Sequence, residues 1–190
     1  MSTHYIDITL RPDPEFSPAH LLNALHAQLH LALVQLGTGD VGVSFPGFIL
    51  RGEHSHLGTT LRLHGATSAL QRLQALSWLR GMRDHVKTSE VAPVPTHTQH
   101  RVVRRVQAKS SPERSRRRLM RRLEIDEAQA LQRIPDQEGR RLALPYLRLQ
   151  SASKGQVFRL FIEHGPLLDT PSPGSFGTYG LSTQATIPWF

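Results

Sequence analysis

Six leucines, Leu21, Leu22, Leu25, Leu29, Leu33 and Leu36, recur along one face of a helix. The segment before them, His4–Leu10, instead alternates, with Ile6, Ile8 and Leu10 on one side. This change of period commits the chain to a strand followed by a helix that covers it. Ser17-Pro18 supplies the helix start, a capping hydroxyl followed by proline at the first helical position. Gly37 supplies the stop. Val41–Phe45 and Thr60–His64 read as strands, with the Gly-containing segment Gly47–Gly58 as the loop between them. Thr67 is expected to cap a second helix through Leu79, followed by Gly81 and a short strand near His85–Thr88. The order β-α-β-β-α-β predicts an α+β chain with a ferredoxin-like N-terminal domain over residues 1–94. Ala92-Pro93-Val94-Pro95 reads as a linker to a second domain, 95–190.

Charge separates the two parts. Residues 1–100 hold seven basic and seven acidic side chains, while 101–122 alone hold ten basic residues and one acid, Glu113. The rest of the chain sums to −1, so the whole formal charge of +8 resides in this stretch. Charge kept for solubility would be spread over the surface, whereas this concentration fits a polyanion partner. There is no cysteine, hence no disulfide and no thiolate metal site. No stretch approaches the roughly 20 apolar residues of a spanning helix, so a cytoplasmic protein with no membrane partner is expected.

Within the basic stretch, Ser111-Pro112-Glu113 is a second helix start, and the helix is expected to run to about Leu123. Arg114, Arg118, Arg121 and Arg122 then fall at i, i+4, i+7 and i+8, with Arg117 beside them. Like charges at this spacing repel, and an anionic ligand removes that cost. Leu119 and Leu123 are expected to anchor the opposite side to the protein body. The apolar side is too thin for a membrane helix. Arginine outnumbers lysine nine to one, which suits bidentate contact with phosphates and stacking on bases. Upstream, Arg105 and Gln107 point to one side if that stretch is extended. Arginine matches the edge of guanine and glutamine that of adenine, a weak signal by itself. Asp126 is expected to cap a further short helix ended by Pro135. Tyr146–Gln150 and Gln156–Glu163 form a hairpin across Ser151–Gly155. The tail from Phe176 is Gly-rich and aromatic.

Of eleven histidines, His26 and His30 stand at i, i+4, a metal-ligand spacing. No third ligand lies near them in sequence and the helix lacks an HExxH glutamate, so no metal or other cofactor is expected. His30 lies roughly 110° from the leucine stripe, at the edge of the exposed face. Position alone makes it an ordinary surface histidine. Beside bound RNA, however, a histidine that titrates near neutrality can take the proton of a 2′-hydroxyl.

Several segments together resemble one family. They are His4–Ile8, Leu10–Phe16, Gly42–Pro46, Arg105–Ser110, Arg116–Arg122, Phe158–Ile162 and Tyr179–Ser182. In order and over essentially the whole chain, they resemble the type I-F CRISPR repeat-processing endoribonucleases, the Csy-type crRNA maturation enzymes. The resemblance implies binding of the repeat stem-loop of precursor crRNA and cleavage at its 3′ base. It also implies that the product stays bound within the type I-F surveillance complex, with that complex's other subunits as partners. It matches His30 to the catalytic histidine, Ser151 to the serine that orients the 2′-hydroxyl, and Tyr179 to the tyrosine that positions the histidine. Arg105 and Gln107 match the readers of the last stem pairs, and Phe158 matches the aromatic that stacks under the closing pair. Arg118, Arg121 and Arg122, with their helical neighbours Arg114 and Arg117, match the phosphate and groove contacts. Two positions depart from the family pattern: Leu123 stands where the best-known members carry histidine, and Gln150 replaces an arginine.

By themselves Ser151 reads as a turn residue, Tyr179 as a packed aromatic and Phe158 as core. The expected chemistry is metal-independent attack by the RNA's own 2′-hydroxyl, leaving a 2′,3′-cyclic phosphate. A-form grooves admit side chains poorly except near helix ends and loops, which favours a short hairpin target. The alternatives are a non-cleaving subunit that caps a guide RNA and, more weakly, a DNA-binding protein.

Overall fold

In the computed structural model the described residues are 2–107, 112–134, 143–151 and 155–190, with the side chains of 53 and 112–115 outside the description. The chain forms two compact units, one of residues 1–106 and 144–190 and the other of 107–143. Its class is α+β.

The larger unit opens with β1 (His4–Leu10) and α1 (Pro18–Leu36). The Ser17 side chain accepts the His20 N–H at 3.3 Å, and Gly37 in left-handed backbone (φ 65°) returns its N–H to Leu33, as the sequence predicts for both ends. Between them, the Asp13 carboxylate accepts the N–H groups of Glu15 and Phe16 at 2.9 Å, which holds its pKa below the usual range. His85 meets the same carboxylate. The turn into α1 is thereby set by local hydrogen bonds.

β2 (Gly42–Ser44), β3 (Thr60–Gly65), α2 (Thr67–Ala75) and β4 (Val86–Thr88) follow. The sheet order is β2-β3-β1-β4, and every neighbouring pair is antiparallel. Two expectations need correcting. Ala66, not Thr67, is the N-cap of α2, and the helix ends at Ala75 rather than Leu79. Leu76 and Ser77 close tighter turns onto Leu73 and Gln74, and Ser77 enters left-handed backbone (φ 50°). That turns the chain so that Trp78 and Met82 reach the core. The expected linker also pairs: Ala92–Pro93 forms β5 against Tyr5 and His4. Proline tolerates this place because an edge strand needs no outward N–H.

A second sheet has the order β7-β8-β6-β9. Its strands are β6 (Gln99–Val106), β7 (Tyr146–Gln150), β8 (Val157–His164) and β9 (Thr186–Trp189). One apolar core joins the leucines of α1 and both sheets, from Ile6 and Ile8 to Leu147, Leu160, Ile162 and Ile187. Asn23 of α1 latches the edge strand β7 by accepting the Arg148 N–H at 2.9 Å.

The smaller unit contains α3 (Pro112–Leu123) and α4 (Glu127–Arg133). Asp126 caps α4 by accepting the Gln129 N–H at 2.7 Å. Ser111 and Pro135, expected as helix punctuation, lie outside the described residues. Among the described residues, no helix is long and apolar enough to cross a membrane.

Candidate active site and nucleic-acid interface

His30 projects from the C-terminal half of α1 and is half-buried. Its Nδ1 lies 2.9 Å from the Thr178 carbonyl oxygen. A carbonyl only accepts, so Nδ1 carries the hydrogen and the neutral ring keeps its lone pair on Nε2. The Tyr179 ring lies on the imidazole, with centroids 4.1 Å apart and planes within 8°. The arrangement holds an imidazole in one tautomer and one plane, which is what a general base requires.

The loop that supplies both contacts is itself pinned. Gly177 donates to Leu181, Gly180 donates to Gly177, and the Gly180 carbonyl accepts the Val43 N–H of β2 at 2.8 Å. Gly180 is buried with φ 70°, and a Cβ there would stand 2.2 Å from Val43 Cγ2. Only glycine lets the loop lie this close to β2.

His26, one helical turn before His30, is wholly buried, and its ring runs nearly parallel to that of Tyr179 at 6.1 Å. Among the described residues neither of its nitrogens has a hydrogen-bond partner of good geometry, the Tyr179 backbone being its polar neighbour. Burial lowers its pKa to about 4; the His30 charge adds to this, and the Tyr179 backbone opposes it weakly. His26 and His30 therefore do not act as a ligand pair. Among the described residues, no three of His, Asp or Glu are grouped to hold a metal ion.

Ser151 ends β7, the strand latched to α1 through Asn23. Its N–H donates to Gln156 and its carbonyl accepts from Gly155. Gln150 closes the same turn by donating to the Gly155 carbonyl at 2.9 Å. Residues 152–154 of the expected turn lie outside the described residues.

Arg105 and Phe158 come together on the second sheet, the guanidinium 5.7 Å from the ring centroid. Arg105 is exposed and Phe158 half-buried. Arg105 also lines a cleft of about 330 Å³ with Ser175, Gly177, Leu181 and Ser182–Gln184. The segment that carries Thr178 and Tyr179 is thus also a wall of the Arg105 cleft. Gln107 is exposed just beyond the end of β6.

The basic stretch is less uniform than its composition. Arg101 donates twice to the Gly165 carbonyl and lies over Trp189 at 4.4 Å, and Arg104 forks onto Glu163. Both are occupied within the fold. In α3, Arg117, Arg118, Arg121 and Arg122 are exposed, and among the described residues none meets a carboxylate. Arg116 instead donates to the Ile134 carbonyl at 3.1 Å. The side chain of Arg114 lies outside the description. Leu123 is 42% exposed, so it is not the anchor expected of it; Leu119 is half-buried.

Comparison with known proteins bears on this arrangement directly. The family model described as "CRISPR-associated protein (Cas_Csy4)" matches residues 5–190. The chain belongs to the Cas6/Csy4 family. It is 53% identical to the "CRISPR-associated endonuclease Cas6/Csy4" of Pseudomonas aeruginosa (strain UCBPP-PA14) over 98% of its own length and 99% of the relative's. It is 47% identical, over the same shares, to the protein of that name from Escherichia coli (strain UTI89 / UPEC).

In this Cas6/Csy4 chain, the contact that sequence reasoning missed is Thr178. It acts through its main-chain oxygen, so its side-chain type carries no signal. Asn23 and Gly180 were missed as well. A glycine beside an aromatic in a Gly-rich tail is a signal for close approach, but it does not name the strand approached.

Proposed function

We propose that this chain is a CRISPR RNA-processing endoribonuclease. It binds the repeat stem-loop of precursor crRNA, cuts at the 3′ base of the stem without a metal, and stays on the product within the type I-F surveillance complex. Membership of a family whose members are named CRISPR-associated endonucleases supports the substrate class. The observation that carries the mechanism is the His30–Thr178 hydrogen bond, which leaves Nε2 of a stacked imidazole as a base.

In this reading His30 Nε2 takes the 2′-hydroxyl proton and the 2′-oxygen bonds to the adjacent phosphorus. The P–O5′ bond breaks, and the departing 5′-oxygen takes a proton from water. A 2′,3′-cyclic phosphate and a 5′-hydroxyl remain. Ser151 aligns the nucleophile, and the latch of Asn23 onto its strand supports a fixed place for it beside α1. Arg105 and Gln107 read the last stem pairs, and Phe158 stacks beneath them. Arg114, Arg117, Arg118, Arg121 and Arg122 grip the stem's phosphates.

We also read residues 1–94 as a ferredoxin-like domain bearing the catalytic histidine, and 95–190 as the RNA-binding domain. The sheet order β2-β3-β1-β4, with two intervening helices, supports the first. The cytoplasm, where precursor RNA is made, is the place of action.

The test is His30→Ala with a repeat hairpin, and a hairpin carrying 2′-deoxyribose at the cut. Both are expected to bind normally and remain uncut, and EDTA is expected to leave wild-type cleavage intact. Cleavage of the deoxy substrate, or its loss in EDTA, overturns the mechanism. A wild-type protein that binds and never cuts is instead the non-cleaving subunit.

A further inference from the structure

β7 and β8 pair with Tyr146 opposite Phe161, Arg148 opposite Arg159 and Gln150 opposite Val157. These six side chains lie on one face of the hairpin, because directly opposed residues share a face. The other face, with Leu147, Leu149 and Leu160, is in the core. The Arg148 N–H points away from β8, to Asn23, and the Ser151 N–H points to Gln156. Arg148 and Arg159 are therefore a non-hydrogen-bonded pair, the kind whose Cα atoms stand closest, at about 4.5 Å.

Two like charges placed this way destabilise a sheet. Among the described residues no carboxylate relieves them. The nearest acid on that face, Glu163, is already held in a fork by Arg104. Arg159 instead lies 4.7 Å over the Tyr146 ring, and Tyr146 meets Phe161 at 5.3 Å. Tyr146 is 43% exposed and Val157 49%. An exposed face that joins unpaired guanidiniums to aromatic rings is the surface on which single-stranded nucleic acid stacks and is neutralised.

We infer that this face holds the single-stranded RNA that runs 3′ from the cut. The inference rests on the proposed function, which places the scissile nucleotide at Ser151. Ser151 directly follows Gln150, and from there the face continues through Arg148 to Tyr146. The proposed function gives the stem, on the 5′ side of the cut, to Arg105 and Phe158, and Phe158 lies on the opposite face of the hairpin, so this face is left for the strand that leaves in the 3′ direction. The face thus grips the precursor and gives no hold on the cleaved product.

The experiment uses the full chain and a hairpin made uncuttable by 2′-deoxyribose at the cut. The hairpin is offered bare, with a 3′ single-stranded extension of roughly ten nucleotides, or with an equal 5′ extension. Wild type is expected to bind the 3′-extended hairpin about tenfold more tightly than the bare one. The Arg148→Ala/Arg159→Ala variant is expected to lose that gain and bind the bare hairpin as wild type does. Three outcomes overturn the inference: no gain from the 3′ extension, a gain that survives in the variant, or a gain given only by the 5′ extension. The first returns the face to an acidic protein partner. Failure to bind even the bare hairpin overturns the proposed function instead.

Discussion

His30 shows how little of a residue's contacts its own neighbourhood in sequence can reveal. Its i, i+4 relation to His26 suggests metal ligation, yet the two rings do different things. His26 is sealed in the core, with no hydrogen-bond partner of good geometry among the described residues, and His30 has its tautomer set by an oxygen 148 positions away. No local pattern carries such a contact, so position alone marks His30 as an ordinary surface histidine. The resemblance to a family, rather than spacing, is what picks it out together with Ser151 and Tyr179. Tyr179 acts on His30 through its ring face, and its hydroxyl has no described role. Tyr179→Phe is therefore expected to keep single-turnover cleavage within a few-fold of wild type. Tyr179→Ala is expected to slow it about 10- to 100-fold with hairpin affinity unchanged, because the base proposed at His30 loses its fixed plane. Single-turnover rates beside gel-shift affinities decide this, and equal rates for the two variants would remove Tyr179 from the positioning role.

At the scale of elements, segments with a clear period were legible and segments whose partners lie far away were not. β1, α1 and the hairpin β7–β8 follow from alternation, leucine spacing and capping residues. β6 was hidden because its three arginines and one histidine read as a charge run, although Arg101 and Arg104 spend their charge inside the fold. β9 was hidden by Pro188, which argues against a strand until one sees that β9 is at the sheet's edge. Gly180 joins the loop that carries Thr178 and Tyr179 to β2. Gly180→Ala adds a Cβ against Val43 and strains a left-handed residue, and a loss of about 2 kcal/mol is expected. Its urea midpoint and its cleavage rate should fall together. In α3, Arg118 and Arg121 are exposed, and among the described residues no carboxylate meets them. Replacing either by alanine is expected to lower affinity for hairpins of any stem sequence and to reduce the slope of log affinity against log salt by about 1. An unchanged slope would place that arginine off the phosphates.

The whole molecule carries three histidines that burial keeps neutral: His26 with a pKa lowered to about 4, and His64 and His164 lowered to about 3. In the unfolded chain each titrates near 6.5. Between those values the unfolded state binds protons that the folded state refuses, so stability falls as pH drops below 6.5 and levels off near 4 to 3. Each contributes a slope of at most about 1.4 kcal/mol per pH unit. Urea midpoints are expected to be clearly lower at pH 5 than at pH 7. His26→Phe is expected to lessen that loss and to raise stability at pH 7 by about 1 kcal/mol, since it removes a buried polar ring without partners. A midpoint that is flat with pH would show that these rings accept protons in place. A last consequence concerns how such a molecule can change. Val106 and Tyr146 both stand opposite Phe161, on its two sides, so the chain leaves the sheet and re-enters it about two strand spacings, or 10 Å, apart. Everything between those stakes is a cassette. On the proposed function, exchanging it would alter the grip on the stem's phosphates while Arg105 and Phe158, which lie in the strands outside it, stay in place.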